Sequence, residues 1–208
     1  MNPQAERILE CLHEVAAERV RRQGDPGLAE RVHEIKRFQH LRFQRTYADL
    51  LASPRYSRAA QFFLDDLYGP EDFTRRDEQF ARVVPGLVRL FPLEIVGTVM
   101  SLGELHALSE QFDTAMGAVI DGPAIDDSQY AEAWRRVGRP ADRERQIMLM
   151  MAVGSALDRY TRNPLLRTSL RLMRGPASAA GLGVLQASWN AVSIPSATCA
   201  GRRSSWPR

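Results

Sequence analysis

Apolar residues along this chain recur at intervals of three and four, and nowhere do they alternate in a sustained run. That spacing excludes half-buried strands and leaves helices as the means of covering a core. Proline marks where the helices begin: Pro26, Pro54, Pro92, Pro140, Pro164 and Pro176 each precede a periodic stretch. At the first helical position the missing N–H has no intrahelical partner to lose, and the fixed φ already suits the helix. The pattern predicts helices near 3–22, 26–52, 54–68, 72–84, 86–91, 92–120, 127–137, 140–161, 164–174 and 176–187, with Pro85 and Gly86 breaking or kinking the fourth. The expected class is all-α, a compact multi-helix bundle of about eight to ten helices with no sheet. Within it, 147–153 is apolar on every side, and a helix without a polar face belongs at the centre of a bundle.

At 208 residues the chain can bury a proper core. The expected organisation is a single all-α domain over 1–187, in which the loop-like stretch 121–128 would separate halves 1–121 and 127–187. The N-terminal residues are polar and acidic, unlike a secretory leader. The apolar run at 147–153 is far shorter than the roughly 20 residues that span a bilayer. Cys11 and Cys199 make no disulfide framework. The expectation is a cytoplasmic protein with no membrane partner. The net charge of +3 suggests an acidic partner, but Arg202, Arg203 and Arg208 carry it in a stretch without acids. Residues 1–187 are then neutral, which argues against nucleic acid as a partner.

From Ser188 the text loses its periodicity. Residues 188–208 hold two of the three tryptophans, one of the two cysteines and no acid. One reading is a disordered, arginine-rich end. The other is a frameshift. If Ser188, Ser193 and Ser196 use TCN codons, the frame two bases later has T in the middle of the codons at 188, 189, 193, 196 and 199, and such codons always encode apolar residues. Their spacing would continue the preceding helix.

The body resembles an uncharacterised family of bacterial helical proteins. The resemblance rests on residues 62–70 (FFLDDLYGP) followed by Asp72, Phe73, Arg76 and Asp77, on 104–110 (ELHALSE), and on the runs 156–167 and 174–177. It covers most of 25–187 and implies no activity, so it assigns no role to any residue.

Several polar residues fall on faces that should be apolar. In 73–91 the stripe Phe73, Asp77, Phe80, Val84, Leu87, Phe91 has Asp77 in its middle. In 26–52 the stripe Leu28, Val32, Ile35, Gln39, Arg42, Thr46, Leu50 puts Arg42 inside. A buried charge requires a partner, so Asp77 is expected to pair with Arg42, or next with Arg76 or Arg58. In 92–120, His106, Glu110 and Asp113 share one line with Ser109 beside them. Such a line can give two ligands to a metal, His106 and Glu110, or a base and its orienting acid, with Asp66 or Asp77 completing the cluster. Against that stands the plainer reading, in which these residues border the core and pair with arginines.

Glu10 with His13 and Glu30 with His33 repeat a di-iron ligand spacing, but the apolar stripes of their helices turn both strings toward solvent. Arg167, Arg171 and Arg174 form a stripe that could hold an anion or an acidic partner, or face water. His40 and Tyr47 read as surface or packing residues. No P-loop, dinucleotide-binding or nucleophile-elbow signature occurs, and no cofactor is predicted. The function expected is binding, to a second copy or another protein, without catalysis. The alternatives are a metal- or cofactor-dependent helical-bundle enzyme around His106, Glu110 and Asp113, and a ligand sensor with a cavity lined by Met148, Met150 and Met151.

Overall fold

The computed structural model describes residues 2–54, 57–62, 64, 73–122 and 125–162. All regular structure among them is helical: α1 (Pro3–Gln23), α2 (Pro26–Thr46), α3 (Ala48–Ala52), α4 (Ser57–Phe62), α5 (Thr74–Leu90), α6 (Leu93–Val119), α7 (Asp127–Val137) and α8 (Pro140–Arg162). Local chemistry sets most of the starts. The side chains of Asn2 and Asp25 accept from the backbone N–H groups of Gln4 and Leu28, and a proline follows each cap. Asp126 and Gln129 close a reciprocal capping box at the start of α7. Between α7 and α8 the backbone turns through positive φ at Gly138 and at Arg139.

The expected helix count runs high at one place, because the helices expected at 72–84 and 86–91 fall together in α5 (Thr74–Leu90). Pro85 lies inside α5 without ending it. The reverse holds in the second segment, where α2 stops at Thr46 and the short α3 follows. The two helices expected at 164–174 and 176–187, and the residues 188–208, lie outside the described residues.

The centre of the bundle is α6, against which α1, α2, α5, α7 and α8 all pack. Its buried residues, among them Val96, Ala107, Glu110, Phe112, Thr114 and Met116, point all round the helix. The expectation that 147–153 would be central is therefore corrected. In α8, Leu149, Val153, Ala156 and Tyr160 are buried, whereas Ile147, Met148, Met150 and Met151 are exposed. The short apolar run in α8 misleads here, because α6 taken whole is the more apolar helix even with Glu110, Asp113 and Thr114 among the side chains it buries.

Two apolar clusters sit toward opposite ends of α6. At its start Val96 meets Ala5, Ile8 and Leu12 of α1 and Val84 and Val88 of α5. Near its end Met116 and Ile120 meet Ile35 of α2 and Ala133 of α7. At Gly117, α2 comes so close that an added Cβ would lie 2.7 Å from Val32 Cγ2, and Arg31 Nε donates to the Gly117 carbonyl at 2.7 Å. Between the two clusters α6 carries His106, Glu110 and Asp113. No helix of the described residues is long and apolar enough to cross a membrane.

Candidate functional site

The stretch of α6 between the apolar clusters forms a seam of buried charge with α1, α2 and α5. Asp77, in the first turn of α5, is its first acid. Arg19 of α1 donates to Asp77 Oδ2 at 2.7 Å, His106 Nε2 donates to the same oxygen at 3.0 Å, and Arg76 reaches Oδ1 at 3.2 Å. Burial pushes the Asp77 carboxyl up, but His106, Arg76 and Arg19 outweigh it and hold the group well below the ordinary carboxylate range.

One turn along α6, Glu110 is the second acid. Arg22 of α1 donates to its Oε2 and Lys36 of α2 to its Oε1, both at 2.5 Å. Here too burial opposes ionisation, and the two cations reverse it, bringing the carboxyl down to about 2. Asp113 behaves differently. Among the described residues its hydrogen-bond partner is Gln39, whose Nε2 donates at 3.0 Å and also donates to the Tyr130 hydroxyl at 3.3 Å. Burial raises the Asp113 carboxyl to about 6, with Glu110 adding to the rise and Lys36 opposing it. Burial raises Tyr130 as well.

The predicted residues are thus brought together only in part. Asp77 and His106 are in contact. Glu110 and Asp113 occupy the next turns, each with its own partners, and the line does not converge on one point. Each level of α6 faces different helices, α5 and α1 at His106, α1 and α2 at Glu110, α2 and α7 at Asp113. Among the described residues no three His, Cys, Asp or Glu side chains are grouped to hold a metal. A cation at Glu110 would also have to displace Arg22 and Lys36. Asp66, Arg167, Arg171, Arg174 and the side chain of Arg58 lie outside the described residues.

The pairing of Arg42 with Asp77 is corrected. Arg42 is exposed and sits over the Tyr130 ring, 5.5 Å from its centre. The stripe from Leu28 buries Leu28, Val32 and Ile35, and beyond Gln39 the last turns of α2 carry no buried residue. Arg19 takes the place assigned to Arg42, with Arg76 beside it. Helical spacing alone also admits a stripe on α1 through Leu9, Leu12, Ala16 and Val20, but Ala16 and Val20 are exposed. The buried line runs instead through Ile8, Leu12 and Val15 to Arg22, and includes Cys11. Continuing the four-three spacing of Ile8, Leu12 and Val15 lands on Arg19 and Arg22, and that was the available signal.

Arg143 of α8 is a second buried cation that sequence reasoning passed over. It stacks 3.6 Å from the centre of the Phe112 ring and 4.8 Å from that of Trp134. Ser109 accepts from Gln146 at 2.9 Å and donates to the Leu105 carbonyl. The Glu10, His13, Glu30 and His33 side chains are exposed, as their wheels indicate. His40 contacts Gln44, and Tyr47 is exposed. Among the described residues Met148, Met150 and Met151 are exposed rather than enclosed. A groove at the start of α2, lined by Gly27, Glu30, Arg31, Glu34 and Gly122, shares no residue with the seam.

Residues 18–189 match the family described as a domain of unknown function, DUF8198. The chain belongs to the DUF8198 family. The matched stretch contains every member of the seam, from Arg19 to Tyr130, and extends past the end of α8 at Arg162. No curated protein and no solved structure matches the chain. DUF8198 therefore brings a shared sequence of unknown function to this seam and no chemistry.

Proposed function

We propose that this DUF8198 chain acts by binding, to a second copy of itself or to another protein, and that it carries out no catalysis of its own. The observation that supports this reading is the use made of the ionisable side chains with the sharpest chemistry. Asp77 and His106 hold each other and two arginines, Glu110 holds Arg22 and Lys36, and Asp113 holds Gln39. Asp77 and Glu110, each held by several cations in a helix interface, lose the freedom to exchange protons with a substrate near neutral pH, and Asp113, though raised to about 6, is buried against Gln39. What they do instead is set the angle and register at which α1, α2 and α5 meet α6, because each pair forms at only one register.

Light scattering on the purified chain, with mass spectrometry of what accompanies it from cells, tests the reading. A defined oligomer or a stoichiometric protein partner is the expected result. A monomer with nothing bound at any accessible concentration counts against it.

A further inference from the structure

The outer side of α8 is apolar and open. Ile147, Met148, Met150, Met151 and Leu157 are all exposed, Met151 by 66% and Ile147 by 55%, and Gly154 and Ser155 lie among them. The opposite side, with Leu149, Val153, Ala156 and Tyr160, is buried, and among the described residues α6 is its main neighbour. The Tyr160 hydroxyl donates to the Glu94 carbonyl at 3.0 Å, and Arg145 forks onto Glu104 at 2.8 and 2.9 Å, so the face turned to α6 is fixed. A helix apolar on both sides normally has neighbours on both, and an apolar patch of this kind marks a covered surface.

Three observations name what covers it. The DUF8198 match does not stop where α8 stops. It continues to residue 189, so 163–189 belong to the sequence shared by the family. These residues follow directly on Arg162, and such a tether keeps them at high effective concentration beside the face. Their composition is complementary, with Leu166, Leu170 and Met173 at helical spacing on one side and Arg167, Arg171 and Arg174 on another. We propose that residues 163–189 of this same chain occupy the outer face of α8, laying Leu166, Leu170 and Met173 against Ile147, Met148 and Met151 and turning the arginines outward. The binding surface of the protein then lies elsewhere, and the methionines of α8 are interior residues of the family's domain.

Methionine oxidation in the full chain tests this, because sulfoxide formation follows access to the sulfur. Treated with dilute peroxide, Met148 and Met151 should oxidise about tenfold more slowly in the native chain than in the same chain in urea, independent of protein concentration. The double substitution Leu166→Asp and Leu170→Asp should bring both to the unfolded rate while buried Met116 stays protected. Oxidation of Met148 and Met151 at the unfolded rate in the unaltered chain overturns the proposal. So does protection that disappears on dilution together with a dimer mass, which assigns the face to a second copy, or protection that survives the double substitution. If Met116 also becomes reactive, the variant has unfolded, and a photo-crosslinker at Met151 of the otherwise unaltered chain decides. An adduct within one chain to peptides of 163–189 supports the proposal, and an adduct to a second copy, to another protein or to any other segment refutes it.

Discussion

Replacing Glu110 by glutamine keeps the shape of the side chain and removes the charge that two buried cations face. Glu110 is almost wholly buried, and the side chains of Arg22 and Lys36 are only 9% and 18% exposed. Removing one partner of a buried ion pair costs about 3–5 kcal/mol, because the other charge stays desolvated. Lys36 is the more exposed cation and can turn toward water, and Asp113 is near enough to attract Arg22. The loss should therefore fall at the low end, about 3 kcal/mol, or a fall in Tm of about 6–12 °C for a chain of this length. Urea unfolding at pH 7, followed by circular dichroism, should show a lower midpoint with an unchanged slope.

The same variant has a second signature. Asp113 has a raised carboxyl, so the folded state favours its protonated form, and the stability it contributes is full below the ordinary value of 3.8 and is lost as pH rises through about 6. At about 1.4 kcal/mol per pH unit that loss amounts to about 3 kcal/mol between pH 4 and 6. Glu110 runs the other way: its contribution is present above 4.5 and is lost as pH falls through about 2. Since the Glu110 charge helps to raise Asp113, the variant should lose the acid-side decline due to Glu110 and flatten the decline between pH 4 and 6. A destabilisation below about 1 kcal/mol at pH 7, with an unaltered pH profile, would refute the account of the seam.

Three further outcomes follow from the same geometry. Asp113→Asn keeps an acceptor for Gln39 and removes the ionisation; it should leave the protein as stable or about 1 kcal/mol more stable at pH 7, with the pH 4–6 slope gone, and a loss of similar size would contradict the raised carboxyl. Gly117→Ala puts a Cβ 2.7 Å from Val32 Cγ2 and 3.1 Å from Leu28 Cδ1, so unfolding should show a loss of about 1–3 kcal/mol that Val32→Ala partly restores. Protein purified without chelators should carry metal well below one equivalent and show no absorption band; near-stoichiometric metal lost in His106→Ala would restore the enzyme reading.

Helix starts were legible because they rest on neighbours in sequence. The caps at Asn2, Asp25 and Asp126 and the prolines that follow the first two act within one turn, and α7 occupies the expected 127–137. The wheels also placed Asp77 inside and kept Glu10, His13, Glu30 and His33 out. They failed where rotation by one position decides the outcome. On α1 both Val20 and Arg22 can be drawn into a stripe, and the structure buries the arginine and exposes the valine. The choice depends on whether Glu110 stands opposite, which no property of α1 reports. Arg42 failed for a related reason, since a stripe continues on paper past Ile35, where α2 carries no further buried residue.

Class and element boundaries therefore came from the chain's own periodicity and turn chemistry, since a helix period and a cap need only local neighbours. Which helix is central, and which cation meets which acid, depended on the packing of α1, α2, α5, α7 and α8 around α6. Buried polar side chains such as Glu110 and Thr114 look like surface residues to any hydropathy count. Thr114 is satisfied within α6 by the Glu110 carbonyl, but the burial of Glu110 is tolerable only because partners more than seventy residues away in sequence arrive within hydrogen-bonding distance. Long-range pairing of that kind is a property of the assembled fold, and the apolar run at 147–153 in α8 reports nothing of it.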